Sequence, residues 1–346
     1  MLPDRGRSDR IDTLRAIACI GLVAFHVVGS SPGTGLELPG THWLSRINLG
    51  LVDLRMPLFS FLSGLVFHLQ AGAALPRIMS KARRLLLPMA SVGTLFWLAR
   101  DAMGYAQPSL PQILILPFAH FWFLQSTFLI MSLFILGSVI TGGRNRLVAT
   151  IIGLAGAGLY VSTFRFEHNI MSANNAFRLA PFFATGFLVS FMPAWKPSPR
   201  QRGMICAVLL ATIATGLMIG WEQISFAPQA RRMVSIILGL VFCVMIFLAA
   251  PRHAGMAWLG RQSYAIYLLH VFFTAGTITA MHLVLPGMPI VILFCLALAA
   301  GLLGPAALGR MLKKHPLTAF LFLGLRHKKR VTAASPQGMT RGYGTP

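Results

Sequence analysis

The sequence predicts an all-α fold, a polytopic transmembrane helix bundle of about ten helices with both termini cytoplasmic. Three observations predict it. Of the 346 residues, 55% are apolar and 11% are charged, against about 25% charged in an ordinary soluble domain. The apolar residues gather in ten runs, each near the roughly 20 residues that cross a bilayer. The charge is lopsided, with 30 Lys and Arg against 8 Asp and Glu and a formal net charge of +22. The cations collect between alternate runs, as the positive-inside bias requires.

Residues 1–11 form a basic cytoplasmic leader with Arg5, Arg7 and Arg10. The first span runs from about 12 to 30. A Gly- and Pro-rich loop follows, then a second span near 48–71. The basic run PRIMSKARR leads into spans near 85–104, 120–140, 147–164, 178–195, 203–221, 232–250, 262–283 and 289–311. Residues 12–312 thus make the transmembrane domain. Residues 313–346 make a basic cytoplasmic tail whose end, ASPQGMTRGYGTP, has the composition of a disordered segment. With the N-terminus inside, only seven of the 30 cations fall outside cytoplasmic segments: Arg46, Arg55, Arg100, Arg165, Arg178, Arg231 and Arg232. These sit at or near outer ends. The pairs Gly153/Ala157 and Gly216/Gly220 read as small-residue helix contacts.

The positive charge does not point to nucleic acid, because no aromatic–basic module accompanies it. The four cysteines, Cys19, Cys206, Cys243 and Cys295, lie inside apolar runs with no metal or redox spacing. They read as small apolar packing residues, and no metal is expected. Walker, HExxH, GxSxG and Rossmann patterns are absent from the sequence.

The chemistry concentrates in DTLRAIACIGLVAFH, residues 12–26. Ionisable residues inside a spanning helix are costly and mark function by default. Arg15 and His26 are eleven positions apart, which returns them to within about 20° of one face and separates them by roughly 16 Å along the axis. A fixed cation thus sits at the cytoplasmic mouth and a titratable base in the outer half. A neutral imidazole can accept a proton as a general base. Arg15, with Arg83, Arg84 and Lys81 on the same side, suits the phosphates of a nucleotide-type ligand, since guanidinium donors form a rigid fork. The same residues would equally serve as a topology signal or a contact for anionic lipid.

Further candidates lie elsewhere. Asp53, Arg55 and Pro57 fall in the second span, where Ser60 and Ser63 can satisfy backbone groups freed by the proline. Arg55 either snorkels or serves the acceptor side. His120 and Trp122 open the fourth span, where an aromatic belt is the bland reading. Arg178 has a similar reading. Ser263, Tyr267 and His270 fall at i, i+4 and i+7 on one face of the ninth span, which should face the bundle interior.

Taken together these segments resemble the acyltransferase-3 superfamily of bacterial integral membrane acyltransferases. DTLRAIACIGLVAFH resembles its first helix, with the Arg-x10-His pattern at Arg15 and His26. RMPLFSFLSGLVF, KARRLLLP, HFWFL and LGRQSYAIYLLH resemble later segments, in order, over residues 12–270. The resemblance implies a multi-pass protein of the bacterial inner (plasma) membrane. It implies transfer of an acyl group, usually acetyl, from cytoplasmic acetyl-CoA to a hydroxyl of a surface polysaccharide or another glycan or lipid-linked sugar. It also implies that Arg15 and His26 are essential. Arg15, Arg83 and Arg84 are then expected to hold the acyl-CoA phosphates. His26 is expected to act as general base or to carry the acyl group briefly. Arg55, Trp122, Arg178 and His270 are expected on the acceptor side. Partners are the bilayer and the sugar acceptor. The rival reading from the residues alone is a transporter or flippase, which would also bury ionisable residues in a bundle.

Overall fold

A computed structural model describes residues 5–29, 33–69, 72–193, 195, 197–249 and 251–326. Among the described residues the protein is helical with no strand. The helices are α1 (Arg5–Val28), α2 (Trp43–Gly50), α3 (Val52–Leu65), α4 (Ala74–Ala102), α5 (Leu110–Ile115), α6 (Trp122–Ile140) and α7 (Asn145–Val161). They continue with α8 (Ala173–Val189), α9 (Pro199–Gly220), α10 (Pro228–Ala249), α11 (Ala254–Gly260), α12 (Ser263–Val284), α13 (Ile290–Leu312) and α14 (Pro316–Leu323).

Nine of the ten predicted spans each overlap one helix, α1, α4, α6, α7, α8, α9, α10, α12 and α13, and the second is divided between α2 and α3. Six stretches among the described residues are long and apolar enough to cross a membrane: Asp9–Val28, Leu110–Ile140, Pro199–Gly220, Pro228–Ala249, Ser263–Val284 and Ile290–Leu312. The other four depart for visible reasons. Helix α3 has 14 residues and α7 and α8 have 17 each. Helix α4 has 29, but its first turns carry Arg77, Lys81, Arg83 and Arg84.

The second span is not one helix. It breaks at Leu51, where α2 ends and α3 begins. Pro57, expected to kink the span, lies inside the continuous α3. Ser60 donates across the bundle to the Leu179 carbonyl at 2.9 Å, and Ser63 donates back to Phe59 at 2.8 Å. Helix α1 begins at Arg5, within the expected leader, and α14 lies in the expected tail. Residues 1–4 of that leader and 327–346 of that tail lie outside the described residues.

The core is apolar and aromatic, with Leu14, Phe61, Phe121, Phe134, Phe182, Phe183 and Ile266 fully buried. Helices with no water to drive them together pack through small residues. Gly64 of α3 lies against the Phe183 backbone, and Gly186 of α8 against the Phe61 backbone, so a Cβ at either site would overlap a carbonyl. Gly216 and Gly220 of α9 meet the α2 backbone at Gly50 and Arg46. Gly153 and Gly156 of α7 meet Ala184 and Ala180 of α8. The predicted Gly216/Gly220 contact is thus present, and the α7 contact uses Gly153 with Gly156.

Helix α1 is central, packed by α3, α11, α12 and α13. It runs parallel to α12 with matched spacing. Cys19 Sγ lies 3.8 Å from the Ser263 carbonyl, and the rings of His26 and His270 are 4.8 Å apart. Each pair lies seven residues beyond the other on its own helix, about 10.5 Å along the axis.

Candidate active site

Two polar clusters lie at the two ends of this α1–α12 pair. The first surrounds the start of α12. Arg15 binds Asp12 at 2.8 Å, with a third of its side chain exposed. The Arg84 guanidinium stands 5.2 Å from the Tyr264 ring centre, and the Tyr264 hydroxyl donates to the Arg84 carbonyl. Lys313 Nζ donates to Gln262 Oε1 at 3.3 Å, and Arg310 stacks on Trp258 at 4.5 Å. Gly324, just after α14, packs on the backbone of Arg83 and Arg84. Burial, reinforced by the charges of Arg84 and Arg310, pushes the Lys313 ammonium below the ordinary lysine range. An excess of cations gathered round one helix terminus favours an anionic ligand. Lys313, Arg310 and Tyr264 were not singled out from the sequence. Their signal there is only a basic tail and one aromatic.

The second cluster consists of three imidazoles. His26 ends α1, His120 precedes α6, and His270 lies two turns into α12. Their ring centres are 5.8 Å (His26–His120), 4.8 Å (His26–His270) and 4.9 Å (His120–His270) apart. His120 and His270 are 5% and 0% exposed, and His26 is half-buried. His26 is therefore the least buried of the three residues. His270 Nδ1 lies 2.9 Å from the carbonyls of both Ile266 and Tyr267. His120 Nε2 faces the Leu268 carbonyl at 3.4 Å, and the Tyr267 hydroxyl donates to the His120 carbonyl. The predicted polar face of α12 thus points inward. His120, read from sequence as part of a membrane belt, is buried in this cluster. Trp122 is half-buried one residue beyond Phe121, with its ring edge to Phe123.

A third group flanks α1. Arg55 donates to the Asn48 side chain at 2.6 Å and to its carbonyl at 3.0 Å. It also stands 4.1 Å from the Phe25 ring centre, and Phe25 packs edge-on to His26. Asp53 instead binds Arg178 at 3.0 Å, Arg231 at 2.7 Å and the Ser235 hydroxyl at 2.6 Å. Arg178 is thus committed to a carboxylate, and Arg231 and Ser235 join it unforeseen. Among the described residues no group of three His, Cys, Asp or Glu residues has the geometry of a metal site.

A family profile described as an acyltransferase domain, of the Acyl_transf_3 type, matches residues 8–310. The nodulation protein NolL of Mesorhizobium japonicum is 29% identical over 196 residues, covering 54% of this chain and 49% of that protein. The chain therefore matches about half the length of this curated relative. No solved structure matches the chain. The profile takes in the Arg15 cluster, the three-histidine cluster and nearly the whole bundle, and the chain belongs to this acyltransferase family.

Proposed function

We propose that the protein moves an acetyl group from cytoplasmic acetyl-CoA to a hydroxyl of a glycan or lipid-linked sugar at the bacterial inner membrane. The observation that carries this reading is the alignment along α1: Arg15 beside a basic rim at one end and half-buried His26 at the other, roughly 16 Å away. In this reading all ten predicted spans cross the bilayer and both termini lie in the cytoplasm. The rim of Arg15, Arg83, Arg84 and Lys313 receives the donor's phosphates. The pantetheine arm extends along α1 and brings the thioester to His26.

At that point His26 takes the proton of the acceptor hydroxyl. The oxygen attacks the thioester carbonyl, the C–S bond breaks, and the CoA thiolate recovers the proton from His26. General-base assistance of this kind typically contributes about 10²–10⁴-fold. Arg55 serves by fixing the end of α1 through Phe25. Arg178 serves by completing the Asp53 network beside α3, and Trp122 lines the acceptor side. The acceptor class is a surface polysaccharide or a lipid-linked sugar.

The test uses purified protein in proteoliposomes with acetyl-CoA and a membrane glycan extract, reading free CoA by chromatography. The wild-type protein is expected to release CoA only when the extract is present. His26→Ala is expected to abolish release, and Arg15→Ala to raise the acetyl-CoA KM. A correctly inserted His26→Ala protein with wild-type turnover would overturn the proposal. Extract movement across the bilayer without CoA release would instead identify a carrier.

A further inference from the structure

We infer that His270 is the positioning residue of His26: its Nε2 accepts the ring N–H of His26, so that His26 presents a bare nitrogen to the acceptor hydroxyl. The inference rests on the proposed acyl transfer and adds a role for a residue that the transfer does not itself require.

The argument starts from an orphan. His270 Nε2 is buried and has no hydrogen-bond partner, and a buried polar atom left unpaired costs about 1–3 kcal/mol. Its other nitrogen fixes what it is. Nδ1 faces two backbone carbonyls at 2.9 Å, both pure acceptors, so Nδ1 carries the hydrogen. In the neutral ring Nε2 is then a bare acceptor that needs a donor.

The neighbours narrow the donor to one. The Tyr267 hydroxyl already donates to the His120 carbonyl. His120 directs Nε2 at the Leu268 carbonyl, which leaves its Nδ1 bare as well. Arg55 directs Nη1 and Nη2 at Asn48 and its flat face at Phe25. Of the three rings only His26 has an N–H to offer. An N–H···N bond of about 3 Å between two imidazoles puts their centres about 5 Å apart, and the observed separation is 4.8 Å. Forming the bond turns the two rings toward each other, since His270 Nε2 is unpaired as the rings stand. The balance during transfer is then simple. The acceptor's proton goes to the free nitrogen of His26, the His26–His270 bond holds the imidazolium in place, and the same proton passes to the departing thiolate.

The experiment uses the full-length protein in proteoliposomes with acetyl-CoA and membrane glycan extract, comparing His270→Gln, His270→Asn and His270→Ala. Glutamine reaches both the carbonyls and His26, whereas asparagine reaches the carbonyls alone. Expected is a kcat loss of about 100-fold for Asn and Ala at unchanged acetyl-CoA KM, with Gln within about threefold of wild type. A second readout needs no turnover: labelling of His26 by diethyl pyrocarbonate, mapped by mass spectrometry. It is expected to be faster in wild type and His270→Gln than in His270→Asn. Full activity in His270→Asn, equal loss in all three variants, or labelling of His26 that ignores residue 270 would each overturn the inference. So would a stoichiometric transition metal in the purified protein, since the three rings would then be ligands. If wild type releases no CoA while the labelling contrast holds, the acyl-transfer reading fails and the pairing stands.

Discussion

Arg55 holds its guanidinium 4.1 Å from the centre of the Phe25 ring, and Phe25 is the residue beside His26. The same guanidinium is anchored by two bonds to Asn48, whose amide in turn reaches the Gly29 carbonyl at 3.3 Å. The last turn of α1 is therefore clamped from the side by α2 and α3. Under the proposed acyl transfer, removing the clamp is expected to act through the position of His26. Arg55→Met is expected to leave the Asn48 side-chain oxygen unpaired and lower stability by about 1–3 kcal/mol. It is also expected to lower kcat more than it raises the acetyl-CoA KM. Arg55→Lys is expected not to rescue, because a point charge cannot both stack on Phe25 and fork onto Asn48. Thermal melting in detergent, alongside CoA-release kinetics, checks both halves.

Asp53 offers a contrasting case. One buried carboxylate serves Arg178 of α8 and both Arg231 and Ser235 of α10. Asp53→Asn leaves two cations without a counter-charge, and breaking a buried pair costs about 3–5 kcal/mol. Both arginines are a quarter to a third exposed, so solvent screens them and the loss is expected nearer 1–3 kcal/mol. The double variant Asp53→Asn/Arg231→Gln is expected to be less destabilised than the sum of its singles, which a double-mutant cycle on melting temperature measures.

What was legible in the sequence follows from the range of each signal. The all-helical fold and the rough positions of the apolar helices were readable because apolar length is local and a bilayer sets its scale. The α12 face was readable because Ser263, Tyr267 and His270 share a helical period. Arg15 and His26 stood out because both interrupt one apolar run. The His120 contact was not readable. Its partners are 94 and 150 positions away in sequence, and no periodicity links them. The break at Leu51 was also invisible, because apolar residues run through it. Arg231 looked like one of several cations at helix ends, and only the fold brings it to Asp53.

Close backbone packing gives the next expectation. Gly186 of α8 lies on the Phe61 backbone, and Gly64 of α3 returns the contact at Phe183. Neither helix can retreat without opening the aromatic core around Phe67, Phe134 and Phe183. Gly186→Ala is expected to force the pair apart and cost about 1–3 kcal/mol. Gly158→Ala, at a site with open space around it, is expected to be neutral or slightly stabilising. The difference in melting temperature between the two variants tests whether α3 and α8 touch through glycine.

Lys313 supplies a test at the other end of the bundle. Its ammonium is pushed below the ordinary lysine range, first by burial and then by Arg84 and Arg310. It therefore loses its charge at a lower pH than a free lysine. If it holds donor phosphate, the acetyl-CoA KM is expected to stay flat near neutrality and rise as pH climbs through that lowered value. Lys313→Arg keeps a cation across the range and is expected to flatten the alkaline rise. Lys313→Met is expected to raise KM by about 3- to 10-fold at neutral pH, the effect of one partly screened charge, and to remove the alkaline rise as well. Arg310→Gln takes away a repelling neighbour, so it is expected to move the rise to higher pH. Steady-state KM measured against pH for the four proteins separates these outcomes. A wild-type profile unchanged in Lys313→Met would place the donor phosphates on Arg15, Arg83 and Arg84 alone.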